Sequence, residues 1–304
     1  MHALSLTGTW TALVTPFTAD GSAIDWDAYE ALVDSQLAGG VSGLVPCGTT
    51  GETPTLSEPE QRELVQRTVR RVAGRVPVMA GTGSNSTKKT VEASRAALEA
   101  GADAVMVVMP YYNKPSQDGM RAHVEAIARE VGAREVGAPI VLYNIPGRTG
   151  VELGVDTLVA LLETCPNIIG VKDATGHVLH CQETLRRTGD RASILCGDDP
   201  LTVPMMSVGA RGVISVTSNL YPSKVAAVTT AALAGRWEEA RRAHLALLPV
   251  HRAMFVEPNP QPLKAALAAR GRMQASVRLP LLPASEATRA VVARVMADYE
   301  REAP

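Results

Sequence analysis

The chain has little of what marks several functional classes. Its four cysteines, Cys47, Cys165, Cys181 and Cys196, stand far apart and make no CxxC pair. That pattern excludes the usual zinc and dithiol motifs. Cys47 and Cys196 sit in apolar segments and read as small core residues, which fits a reducing cytoplasm. The longest apolar run, residues 104–112, falls far short of the roughly 18 residues of a membrane span. The opening MHALSLTGTW has no basic stretch followed by a long apolar core, so no export leader is expected. No polybasic run occurs, and 30 basic residues nearly balance 31 acidic ones for a net charge of -1. Nucleic acid and anionic membranes are therefore not expected partners. The phosphate-binding P-loop pattern is absent, and so is GxGxxG after the first strand. What remains is a chain of 304 residues, 46% apolar and 20% charged, with ample material for a large core. At about 150 residues per domain this length suits two domains, and it suits equally one α/β barrel of about 250 residues.

Short apolar runs alternate with longer amphipathic stretches. The runs lie at 11–17, 43–47, 76–81, 103–110, 139–146, 167–173, 192–198 and 212–218. Each is apolar almost throughout, as in parallel strands buried on both faces. Between them stand helix signals. Asp25 opens one segment, Asn85 and Ser86 precede another that closes at Gly101, and Ser57 with Glu60 forms a capping box ahead of a helix closed by Gly74. Gly39-Gly40, Gly101 and Gly209 recur where a helix hands over to a strand. Eight βα units of about 30 residues predict an α/β fold, a (β/α)8 TIM barrel, over an open doubly wound sheet. Ala-rich helical segments at 225–234, 237–248, 263–270 and 286–301 exceed what the eighth unit needs. The expected division is a barrel at 1–224, then the last barrel helix and a C-terminal helical region at 225–304.

In a barrel, chemistry gathers at the C-terminal ends of the strands. Of six lysines, five lie in helix or loop contexts where a solvated lysine is ordinary, Lys264 among them. Lys172 alone interrupts an apolar strand. Burial disfavours the charged form of an amine and frees it as a nucleophile, which suits Schiff-base chemistry with a carbonyl substrate. The plainer reading is a salt bridge to an acid on a neighbouring strand. The loop at 48–52 offers backbone N–H groups and the hydroxyls of Thr49 and Thr50 to a carboxylate, or is simply a turn. Tyr143 ends a strand as a proton donor or as core. Arg148, flanked by glycines, could clamp a second carboxylate or stay solvated. Metal readings are weak. His177 and His180 sit on a predicted helix beside Cys181 with no third ligand at convincing spacing, and His244 and His251 lie in the appendage, away from the strand ends. A zinc-dependent aldolase is disfavoured.

Six stretches carry a resemblance: GTTGETPTLS at 48–57, MPYYNKPSQDG at 109–119, YNIPGRTG at 143–150, IIGVKDATG at 168–176, GVISVTSN at 212–219 and NPQPLK at 259–264. In that order they span nearly the whole chain. They are similar to the dihydrodipicolinate synthase family, within the N-acetylneuraminate lyase group of class I aldolases. The resemblance implies that Lys172 forms a Schiff base with pyruvate, whose carboxylate Thr49 and Thr50 hold. Tyr143 would be the general acid/base. Thr49, Tyr143 and Tyr112 would form a proton relay, with Tyr112 supplied by a neighbouring subunit. Arg148 would bind the carboxylate of L-aspartate 4-semialdehyde, and the carbonyl of Ile214 would shape the pyruvate site. It further implies lyase activity in the diaminopimelate route to lysine, no cofactor or metal, and a homotetramer built as a dimer of dimers. The alternatives are another pyruvate-dependent aldolase, acting on a sugar acid, N-acetylneuraminate or 4-hydroxy-2-oxoglutarate, and a non-catalytic barrel. Sialic acid lyases generally lack the arginine after the tyrosine motif, so Arg148 favours a small acidic aldehyde. One departure concerns feedback. Tyr111 and Asn85 match the family's lysine pocket, but Glu58, Gln61 and Lys89 stand where sensitive relatives often place two histidines and a glutamate. Lys89 would repel an effector ammonium, so weak or absent inhibition by lysine is expected.

Overall fold

The computed structural model describes residues 4–132 and 138–302. Eight parallel strands form one sheet: β1 (Gly8–Ala12), β2 (Gly43–Val45), β3 (Met79–Gly81), β4 (Ala104–Val108), β5 (Ile140–Asn144), β6 (Ile168–Asp173), β7 (Ser193–Cys196) and β8 (Gly212–Ser215). Their order is β2-β1-β8-β7-β6-β5-β4-β3. The seam between β2 and β3 is bridged in parallel at Leu44 and Val78, and the Gly81 N–H donates to the Pro46 carbonyl at 2.9 Å. The sheet thus closes into the expected barrel, with a helix following each strand.

Local signals set the helix ends. Asp25 accepts from the Ala28 N–H at 3.0 Å and starts the helix Trp26–Ala38. Ser57 and Glu60 close a reciprocal capping box on Glu58–Val72. That helix closes at its glycine as expected, with one addition. Ala73 itself takes the left-handed conformation at φ 50, and Gly74 follows at φ 74. Gly40, Gly101 and Gly209 are left-handed, as the glycine-marked handovers require.

Two expected boundaries move most. The first strand lies at 8–12 rather than 11–17. Residues 13–17 are buried in the loop above the barrel, where the Leu13 N–H still donates to Val45 O at 3.0 Å and Phe17 makes an isolated antiparallel bridge with Ile24, so their apolar character reports burial more than strand extension. The polar Thr9 and Thr11 belong to the strand because their hydroxyls bond Thr229 (2.8 Å) and Gln36 (2.8 Å) on surrounding helices. The helix beginning at Trp237 runs to Ala253, through Pro249, instead of stopping at Leu248. Val250, His251 and Ala253 bury beyond the proline, which offsets its missing N–H. Helices Pro222–Leu233, Trp237–Ala253, Gln261–Ala269 and Glu286–Glu302 form the C-terminal region. The expected division at 224/225 falls in the first turn of Pro222–Leu233, and its outer ends, 1–3 and 303–304, lie outside the described residues. Among the described residues no helix is long and apolar enough to cross a membrane.

Side chains alternate across each strand between the barrel interior and the helix-facing side. Trp10, Met79, Met106, Val141, Tyr143, Leu195 and Ile214 pack together in the barrel interior. Val105, Val107, Ile140, Leu142 and Val171 face the helices. On β6 this alternation turns Lys172 inward and Asp173 outward.

Candidate active site

Lys172 pairs in register with Tyr143 on β5 and Leu195 on β7. It is 5% exposed, and its Nζ lies 4.1 Å from the Tyr143 ring centroid. Among the described residues it forms no ion pair, so the salt-bridge reading finds no acid. Gly197, just past β7, makes room for it. A Cβ there would sit 3.1 Å from both Cγ and Cε of Lys172 and 2.7 Å from the Ala174 Cβ.

Asp173, on the outer face, accepts from Thr175 (N at 2.9 Å, Oγ1 at 2.7 Å) and meets His180 Nδ1 at 3.0 Å. That carboxylate raises the His180 pKa above the usual imidazole value, against the lowering effect of burial. His177 precedes the helix Val178–Thr188 rather than riding on it.

After β2 the chain makes one tight turn, Thr49–Gly51. The Gly51 N–H donates to the Gly48 carbonyl (3.0 Å), and the Glu52 N–H to that of Thr49 (3.1 Å). The Thr15 and Thr53 hydroxyls donate to Gly51 O (2.8 Å) and Gly48 O (2.9 Å). These bonds occupy the carbonyls of Gly48, Thr49 and Gly51. The N–H groups of Thr49 and Thr50 donate to no backbone carbonyl among the described residues, which leaves donors for an anion.

Arg148 lies on the short helix Pro146–Thr149 after β5, exposed, with Nη2 donating to the Asn259 carbonyl at 3.3 Å. The Asn259 side-chain amide donates to Thr50 Oγ1 at 3.0 Å, so one buried asparagine touches both expected carboxylate sites. Arg148 lines a cleft of about 630 Å³ together with Tyr111, Tyr112, Lys114 and Gly150. Tyr112 is 89% exposed, held at φ 71 on the loop after β4, and forms no side-chain hydrogen bond among the described residues. The single chain thus brings Lys172 and Tyr143 together inside the barrel, with Ile214 in the same core, and leaves Tyr112 at the rim.

Two sequence readings are corrected. Lys264 is not solvated. It is 0% exposed, 2.5 Å from Glu52 Oε1, with Nζ donating to the Ser276 carbonyl at 2.8 Å. Burial pulls its ammonium down to about 8, against the attraction of Glu52. Its setting, PLKAALAA, is as apolar as the strand around Lys172, so the signal that singled out Lys172 applied here too. His244 and His251 are not remote from the strand ends either. His251 Nδ1 meets Thr217 Oγ1 at 2.9 Å just past β8, and His244 Nε2 meets the Pro200 carbonyl at 3.1 Å just past β7. Burial lowers both imidazole pKa values. Beside them the buried Asp199 takes the N–H groups of Val216 (2.8 Å) and Thr217 (3.1 Å) and the Ser215 hydroxyl. It therefore fixes the chain just after Ile214.

Comparison with known proteins agrees over the whole length. A 4-hydroxy-tetrahydrodipicolinate synthase of Sorangium cellulosum is 62% identical over 300 residues, 99% of this chain and 98% of that protein. The solved 4-hydroxy-tetrahydrodipicolinate synthase of Methylacidiphilum fumariolicum superposes with a TM-score of 0.94 at 42% identity, covering 98% of this chain and 97% of that one. A dihydrodipicolinate synthase of Acinetobacter baumannii, solved in complex with pyruvate, gives 0.93 at 39% identity, covering 97% and 99%. The model of the dihydrodipicolinate synthetase family matches residues 5–298, and the chain belongs to that family.

Proposed function

We propose that the protein is a lyase of the class I aldolase type that condenses pyruvate with L-aspartate 4-semialdehyde, the 4-hydroxy-tetrahydrodipicolinate synthase reaction of the diaminopimelate route to lysine. The observation that carries the proposal is Lys172: a buried amine with no counter-ion among the described residues, beside Tyr143, inside a barrel whose relatives bear this activity. In this reading the amine attacks the C2 carbonyl of pyruvate and water leaves, giving an imine. Loss of a C3 proton gives the enamine. The enamine carbon bonds to the aldehyde carbon, whose oxygen takes a proton. The substrate's own amine then displaces Lys172 from C2, closing the ring and freeing the enzyme.

The donors of Thr49 and Thr50 hold the pyruvate carboxylate, and the Ile214 carbonyl borders the same site. Tyr143 passes protons in a relay with Thr49 and with Tyr112 of the partner subunit. The exposure of Tyr112 supports a homotetramer in which that ring is covered, and four free, buried cysteines suit the cytoplasm. Arg148, exposed on the cleft, takes the semialdehyde carboxylate, which favours this substrate over sugar acids. The test is borohydride reduction in the presence of pyruvate, followed by peptide mass analysis. A single adduct on Lys172 is expected. No adduct from folded protein removes the mechanism. A substrate panel then ranks aspartate semialdehyde against sugar acids, N-acetylneuraminate and 4-hydroxy-2-oxoglutarate.

A further inference from the structure

Glu52 ends the threonine turn in a left-handed conformation, φ 58, which a residue with a Cβ rarely adopts. Something must hold it there. Its carboxylate is buried and engaged from the far end of the chain: Lys264 reaches Oε1, and the Arg278 N–H donates to Oε2 at 3.0 Å. Lys264 is anchored in turn by the Ser276 carbonyl and by the Phe17 ring, whose centroid lies 4.1 Å from its Nζ. Arg278 covers the same ring at 4.4 Å and pairs with Glu60 at 2.6 Å. Five residues before Lys264, Asn259 donates to Thr50. One segment, 259–264, therefore grips the turn at both Thr50 and Glu52.

Stability alone does not call for an ion pair here, because an apolar pair of similar volume would serve as well or better. What a buried pair adds is direction. Each charge has one low-energy partner position, and a shift of the turn separates the two.

We infer that Glu52 and Lys264 form a positioning strut that holds the Thr49–Thr50 turn in its carboxylate-binding shape. Lys264 touches neither substrate nor Lys172. It acts through Glu52 on the turn. The inference rests on the pyruvate reading of that turn, and the experiment separates the two.

The test titrates pyruvate against borohydride-trapped adduct on the intact native chain, on Lys264→Met and on Glu52→Gln/Lys264→Met. The double variant strands no buried charge, so it is expected to melt close to the native protein. The strut predicts that it still labels at Lys172 and reaches the native yield at saturation, but needs roughly tenfold more pyruvate for half-maximal labelling. A merely structural pair would shift melting and leave the half-saturating concentration alone. Native half-saturation in the folded double variant overturns the strut and leaves the pyruvate reading intact. No adduct in the native protein overturns the pyruvate reading and takes the strut with it. If the double variant does not fold, the isosteric Glu52→Gln is read by the same criteria, since the unpaired Lys264 can shed its proton.

Discussion

Two lysines have left solvent in this molecule, and their surroundings differ. Lys172, on the inner face of β6, and Lys264, in the C-terminal region, each hold Nζ 4.1 Å from an aromatic centroid, Tyr143 and Phe17 respectively. Lys264 has a carboxylate at 2.5 Å, whereas Lys172 has none among the described residues. Burial therefore does not by itself mark a reactive amine. A buried ammonium with a counter-ion is tied to its partner. Lys172, beside the Tyr143 ring in the barrel interior, has no such tie among the described residues.

The largest effect that would sharpen this comparison is on activity. Lys172→Met is expected to abolish the trapped adduct and lower turnover on the order of a thousandfold or more, while melting no lower than native because no partner is stranded. An active Lys172→Met would erase the distinction. Lys264→Met should behave in the opposite way, destabilising the fold by about 3–5 kcal/mol through the stranded Glu52, measured by denaturant unfolding. Glu52→Gln/Lys264→Met should recover most of that loss. The pH dependence follows from the same group. With its folded pKa lowered to about 8, Lys264 sheds its proton in the folded state before it does so unfolded. Its contribution to stability therefore rises from about pH 8 toward the unfolded lysine value near 10.4, and the double variant should lack that rise.

A third cation, exposed Arg148, tests whether charge at the cleft serves the substrate. Arg148→Ala should cost roughly 2–4 kcal/mol in kcat/KM for the semialdehyde, with pyruvate trapping at Lys172 retained. An unchanged kcat/KM would count against an acidic second substrate. The smallest expected effect concerns Lys89, exposed at the start of the helix Thr87–Glu99. Millimolar lysine should leave the rate nearly unchanged, and halving of the rate would refute the charge argument.

The barrel itself was legible because its signals are local. Apolar runs of strand length, the Ser57 and Glu60 box and the left-handed Gly101 and Gly209 depend on neighbours within a few residues. Lys172 was legible for the same reason: one charge interrupts a short apolar strand. Strand ends were less so, since burial of residues 13–17 in a packed loop mimics a strand. Asp173 and Lys172 are adjacent in sequence and look alike as polar strand ends. Barrel closure decides which of them faces inward, and that alternation sends one to the core and the other to His180.

The pattern along the chain determined the fold class, the candidate lysine and the donor-rich turn, because each arises from contacts between near neighbours. Only the tertiary structure decided that Asn259 meets Thr50 and that Lys264 meets Glu52, partners separated by 209 and 212 positions. No periodicity encodes a contact of that span. It exists because a closed barrel returns its C-terminal segment to the loop above its second strand, where a buried charge must find a partner.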